Sequence, residues 1–368
     1  MGRRRDVVSG VDFARRVAAW GLWRVGSLRV YQPILPRPVV GLCYHVVTDR
    51  VPPHVVHLER FKTPAEFERD LVWLKRNRRL VSFGEALAEY ESGRRRAKPP
   101  VLVSFDDGYA ECFSVIRPLL LEHGIPAVFF ITRDFIDNRR LFYRNKVSLA
   151  IEALKGMEVG RAEELAREFT GAPAEGLVAW LRARTFYDDA LLDDFCARAG
   201  VDVAAYLAER RPFMTADQVR QLAADGFTIG GHTLAHPYLH SLRTAEEVEM
   251  QIVESCRFAA GFGGGGRTPF AFPFRGDGLD RGLLRRILDE NPWIGPLFDV
   301  RGVNDDAEFI ANRVIADTRP APGSASSNVP DLLRVAYREA VYFRCSGRPA
   351  TAHDVSAVPP ASEFLARP

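Results

Sequence analysis

Two adjacent carboxylates, Asp106 and Asp107, follow directly on the five strand-forming residues "VLVSF" (101–105) and precede Gly108. Like charges side by side at the exit of an apolar strand repel each other. The pair therefore needs either a helix N-terminus, whose dipole favours carboxylates, or a cation to hold. His232 and His236 stand four apart in "GGHTLAHPYLH" (230–240), just after the apolar "FTI". In a helical turn that spacing projects both imidazoles to one side, where they can share a metal ion. The same spacing also arises by chance in structural roles, and His240, which lies beyond a proline, reads as a rim residue. A third stretch, "FAFPFRG" (270–276), fits either a core strand or the aromatic wall of a sugar-binding groove. One carboxylate with two neutral imidazoles suits Zn²⁺ or a similar divalent ion and leaves coordination positions open for water. A second carboxylate beside such an ion can take the proton of the water, a contribution of about 10²–10⁴ in rate.

Each of these groups lies at the C-terminal end of an apolar strand. Candidate strands are 39–45, 101–105, 127–132, 227–233, 270–274 and 309–315, and helical periodicity covers 64–77, 113–124, 215–226 and 245–262. Alternation of this kind predicts a parallel sheet or a β/α barrel, and barrels collect catalytic groups at the C-terminal ends of their strands. Residues 140–212 break the rhythm with helix formers alone and read as a helical insertion in one strand-to-helix connection. Residues 318–330 read as a linker and 331–345 as an amphipathic helix, followed by a Pro/Ala/Ser-rich tail expected to be disordered. The resulting division is an N-terminal arm (1–38), a catalytic domain (39–317) and a C-terminal segment (318–368).

A net charge of +3 in 368 residues is too small to argue for a nucleic-acid partner, and the arginine clusters at 3–5, 94–96 and 139–140 read as solvated turns or helix ends. Five widely spaced cysteines with no CxxC suggest neither a disulfide framework nor a thiolate site and favour a reducing compartment. No apolar run is long enough to span a bilayer. The N-terminus opens like a signal peptide, but Asp12, Arg15, Arg16 and Arg24 interrupt it, and no small-residue cleavage site follows. An amphipathic helix there would either dock on the protein or lie on an anionic membrane face.

In this order, "SFDDG" (104–108), "HTLAH" (232–236) and "FAFPF" (270–274) resemble the three leading motifs of the polysaccharide deacetylase family, the NodB homology domain of carbohydrate esterase family 4. The resemblance covers about residues 39–316 and implies a distorted β/α barrel that hydrolyses an N-acetyl group on a sugar with the help of a metal. By position it makes Asp107, His232 and His236 the metal ligands and Asp106 the general base. The backbone N–H of Gly108 or Tyr109 is a candidate oxyanion donor, and Tyr109, Phe272, Pro273, Phe274 and Arg275 are candidate substrate contacts.

Two departures stand out. The family's third motif often carries an arginine that orients the base; Ala271 occupies that position here, and Arg275 lies beyond Pro273. The late Leu-x-His motif that supplies the general acid is missing, since the only histidine after His240 is His353 in the tail. Tyr44-His45, ending "GLCYH" (41–45), is similar to the Tyr-His of the branch that includes poly-N-acetylglucosamine deacetylases, in which such a histidine acts as the acid. His45 is therefore the candidate acid, against the alternative of a strand-end histidine held by a hydrogen bond. His54 and His57 are expected at the rim or surface. The leading expectation is a Zn²⁺-type de-N-acetylase acting on an acetamido sugar of a polysaccharide, as in exopolysaccharide biosynthesis, or of its lipid-linked precursor. It would work in the cytoplasm, with peripheral contact at the inner membrane face. Alternatives are the same chemistry on a formamide or small amide, and an idle barrel that binds glycan or scaffolds other enzymes.

Overall fold

The computed structural model describes residues 27–58, 61–263, 266–317 and 328–346. Seven parallel strands close into a barrel in chain order, with the last pairing to the first. The first part of the chain supplies α1 (Leu28–Ile34), β1 (Val40–Tyr44), α2 (Pro64–Asn77), α3 (Phe83–Glu91), β2 (Val101–Phe105), α4 (Arg117–His123) and β3 (Ala127–Ile131). The insertion follows as α5 (Tyr143–Lys155), α6 (Val159–Thr170), α7 (Leu177–Arg182), α8 (Asp189–Arg198) and α9 (Val203–Arg210). The barrel resumes with α10 (Ala216–Ala224), β4 (Thr228–Gly231), α11 (Ala245–Ala260), β5 (Thr268–Ala271), α12 (Arg281–Glu290), β6 (Ile294–Asp299) and β7 (Ile310–Ile315), and α13 (Val329–Ser346) closes the described chain.

Local chemistry sets the helix boundaries. Reciprocal capping boxes, Thr63 with Glu66, Ser82 with Glu85 and Thr215 with Gln218, satisfy the first N–H groups of α2, α3 and α10. Gly124 ends α4 in the left-handed conformation at φ 61°, which glycine adopts without a Cβ penalty. Strand residues are buried on both faces, as a barrel sheathed in helices requires. Leu42, Val103, Phe105 and Phe129 pack outward against Phe67 and Leu71 of α2 and Val219 of α10. Leu102, Val128, Phe130, Phe298 and Ala311 form a separate cluster on the other face.

That inner cluster surrounds an arginine. Arg313 of β7 is fully buried, with its guanidinium over the rings of Phe130 and Phe298 at 5.0 and 5.8 Å. Gly41 on neighbouring β1 makes room for it, since a Cβ there would stand 2.5 Å from Arg313 Cγ. The insertion builds a second core from Phe142, Ile151, Leu165, Leu181 and Phe195, joined to the barrel rim through Tyr109, Phe135 and Phe213.

The barrel and the helical insertion match expectation, and several details differ. β6 was not among the expected strands; it carries Gly295 and Pro296, and the register with β5 slips at this point and accommodates them. Helices α3 and α12 were also unexpected. The segment 113–124 begins as a π-helical turn over Cys112–Ile116 before α4. Strand β5 stops at Ala271, so Phe272–Phe274 belong to the following loop. Of the expected N-terminal arm, α1 packs against α13, while residues 1–26 lie outside the described residues, as do the linker 318–327 and the tail 347–368. No described helix is long and apolar enough to cross a membrane.

Candidate active site

Strand ends deliver the polar groups to one mouth of the barrel. Asp107 follows β2 with φ 73°, and Thr233, His236 and Phe274 likewise hold positive φ of 66°, 59° and 58°. Four non-glycine residues in that sparsely populated region, gathered at one place, represent strain the surrounding fold must sustain, a common feature of functional sites. The His232–His236 pair is not on a helical turn. Its loop is pinned from outside and within: Leu234 N–H donates to Gln251 Oε1 at 2.9 Å, and His236 N–H donates to Thr233 Oγ1 at 2.9 Å.

Asp107 Oδ1 lies 3.2 Å from His232 Nε2 and 3.0 Å from His236 Nε2, and all three residues are buried. His232 Nδ1 lies 2.8 Å from the carbonyl oxygen of Ala271, which can only accept, so Nδ1 carries the proton. The Nε2 of a neutral His232 is then a lone pair aimed at a carboxylate oxygen. Asp107 Oδ1 has no hydrogen-bond partner. Lone pairs facing each other at this distance need a cation between them, and one carboxylate with two imidazoles is a divalent-ion donor set. The residues therefore fit a metal.

Asp106 points elsewhere. Arg313 Nη1 and Nη2 donate to its two carboxylate oxygens at 2.7 and 2.8 Å, and the same Nη1 donates to Ser104 Oγ at 2.9 Å. Burial raises the Asp106 carboxyl, yet the guanidinium outweighs this and keeps it below its ordinary value. The Cys43 thiol lies 3.3 Å from Asp106 Oδ2 and is held protonated by burial, which pushes its pKa well up. Cys43, His45 and Asp106 cluster closely enough to suggest a second metal trio, but Arg313 already occupies both oxygens of Asp106. The arginine that holds Asp106 comes from β7, whereas the third motif has Ala271 at the position expected for one. An arginine inside "FIANRVI", apolar but for it and Asn312, was the signal available in the sequence.

His45 follows β1, half-buried, with Nδ1 and its backbone N–H both 2.8 Å from Asp317 Oδ2. Asp317, two residues beyond β7, is a second group sequence reasoning missed. Phe274 and Arg275 reach the mouth, half-exposed, and Phe274 stands edge-on to His236 with centroids 4.9 Å apart. Pro273 is buried beside them.

Other candidates fall away from the mouth. Phe272 packs into the core under α11 and α12, because β5 ends before it. Tyr109 is fully buried, stacked on Phe213 at 5.3 Å with its hydroxyl near Asn145, so it braces the insertion. The Gly108 N–H donates to the Asp106 carbonyl and is not a spare oxyanion donor. His54, expected at the rim, is 3% exposed, with Nδ1 2.8 Å from the Tyr206 hydroxyl. His57 pairs half-buried with Glu152, and His240 is exposed, as a rim residue should be.

A family model described as polysaccharide deacetylase matches residues 93–168 and 185–280, the gap falling within the insertion. No curated protein matches the chain. Solved structures with similar folds include a deacetylase of Streptococcus pyogenes, PplD, in complex with acetate (14% identity, TM-score 0.47, covering 76% of this chain and 92% of that one). IcaB from Ammonifex degensii is similar at 17% identity and TM-score 0.46 (82% and 97% covered). A de-N-acetylase from Aggregatibacter actinomycetemcomitans gives 16% and 0.48 (80% and 99% covered). Asp106, Asp107, His232 and His236 all lie within the matched segments: the chain belongs to the polysaccharide deacetylase family and is a carbohydrate de-N-acetylase.

Proposed function

We propose that this chain is a metal-dependent hydrolase that removes the acetyl group from an acetamido sugar of a polysaccharide or its lipid-linked precursor. The supporting observation is the facing of Asp107 Oδ1 by two imidazole Nε2 atoms at 3.0 and 3.2 Å, one of them fixed as a lone pair by the Ala271 carbonyl. Asp107, His232 and His236 would hold a divalent ion, Zn²⁺ by the chemistry of the donors. Such an ion, when bound, polarises the amide carbonyl and brings the pKa of water toward ~7.

Asp106 is the base that accepts the proton of the attacking water. Arg313 holds both its oxygens, so the carboxylate stays ionised and keeps one orientation. His45 is the acid that protonates the departing amine, and Asp317 fixes its ring by taking the Nδ1 side. Phe274 forms an apolar wall against which a sugar ring can lie. The test is metal analysis with an acetate-release assay on N-acetylglucosamine oligomers. One equivalent of metal, turnover by the wild type, and a loss of about 10²–10⁴ in Asp106→Asn are expected. Stoichiometric metal without hydrolysis of any N-acetylated glycan would sink the reading.

A further inference from the structure

The helical insertion brings charge as well as bulk to the mouth. Phe142, just before α5, stands edge-on to His236 with centroids 4.4 Å apart. Two residues on, Arg144 lays its guanidinium carbon 5.2 Å from the centroid of Phe274, the ring that itself touches His236. Phe274 is in turn stacked on Tyr238 at 4.6 Å and 8°. Arg144 thus sits one aromatic ring away from a proposed metal ligand, about the reach of a neighbouring sugar or its substituent.

Arg144 makes no hydrogen bond or ion pair among the described residues. Other arginines of the same segment are neutralised, Arg133 by Asp134 and Arg140 by Asp189. Arg144 is half-buried, and the ring beneath it offers only a cation–π contact. The Tyr238 phenol lies within the fields of Arg275 and Arg144 as well as of Asp277 and Asp299. Asp299 is buried and already accepts the N–H groups of Gly276 and Val300. Asp277 is the one half-exposed acid of that set.

We propose that Arg144 binds an anionic group, a phosphate or a carboxylate, carried by the acetamido sugar or its neighbour, and so sets the substrate class of this deacetylase. A guanidinium presents a rigid fork of donors that matches either oxyanion. The inference rests on the deacetylase reading for the sugar, but binding tests it separately. Zinc-loaded Asp106→Asn protein, which spares the ligands, is titrated calorimetrically with N-acetylglucosamine 1-phosphate, an N-acetylglucosamine–glucuronic acid disaccharide, and the neutral N-acetylglucosamine disaccharide. At least one anionic ligand should bind about tenfold tighter than the neutral one, with a preference that shrinks as salt rises. The arm that binds tells phosphate from carboxylate. Adding Arg144→Gln should weaken the anionic ligand by about tenfold or more and change the neutral one by less than about threefold. Equal affinities, no binding by any ligand, or a preference that survives Arg144→Gln overturns the proposal. A preference without acetate release by wild-type protein removes the deacetylase reading and leaves the anion site. Acetate release from charged and neutral sugars alike, indifferent to Arg144, does the reverse.

Discussion

Replacing Arg313 with Met tests the link between the barrel interior and the proposed base. The substitution keeps an unbranched apolar stem and removes two charge-assisted hydrogen bonds, at 2.7 and 2.8 Å, from a carboxylate only 2% exposed. Removing one partner of a buried ion pair costs about 3–5 kcal/mol, because the remaining charge is left desolvated. Asp106 can relieve that cost by taking up a proton. Burial already pushes it up, and Arg313 is the largest opposing influence, so its folded pKa should cross from below the ordinary value to above it. The sign follows. In the wild type the folded pKa is depressed, so the stabilisation is present above the unfolded value of about 3.9 and lost as pH falls through the folded value. In Arg313→Met the folded pKa is raised; the penalty is absent below about 3.9, grows with pH, and levels off above the raised value. The stability gap between the two proteins should therefore be small in acid and open to about 3–5 kcal/mol near neutrality. The acid limb of acetate release should move upward in step. Thermal unfolding and turnover of zinc-loaded protein across that pH range read both effects. A loss of stability equal at all pH values, with an unmoved acid limb, would show that Arg313 only fills space.

Other consequences are simpler to state. Asp107→Ala and His232→Ala should each lower zinc affinity by at least about tenfold while the protein stays folded, measured by competition with a chelator. Gly41→Ala should destabilise by about 1–3 kcal/mol, since the new methyl would meet Arg313 Cγ at 2.5 Å, and should lower turnover with it. His54 bridges the loop after β1 to Tyr206 of α9, and burial pushes its pKa down to about 4. Its stabilising contribution is present above the unfolded value of about 6.5 and is lost as pH falls toward the folded one, amounting to about 2 kcal/mol by about pH 5. His54→Phe should flatten that part of the stability–pH curve, and an unchanged curve would count against a buried neutral His54.

What could be read in advance depended on whether a residue's chemistry was local in sequence. Asp106-Asp107 and His232–His236 each pair ligand-type groups within a few residues of a strand end, so their meaning survives without knowing what packs beside them. Even there the mechanism differed: His236 reaches the site through positive-φ backbone rather than a helical turn, because Gln251 and Thr233 hold the loop. Arg313 and Asp317 became legible only once β7 closed against β1, over two hundred residues of separation from their partners. Closure of a barrel is a global property that periodicity does not encode, and the groups completing the site come from the seam it creates. The same seam explains how Asp106 keeps an arginine although the third motif lacks one. A charge brought from β7 meets both oxygens of Asp106 as well as one from β5 could, provided that β1 offers a glycine opposite it, and Gly41 stands there. The position of the arginine moved while the electrostatic requirement of a buried carboxylate stayed fixed, so absence of a motif residue is evidence only about one strand until the neighbours of that carboxylate are known.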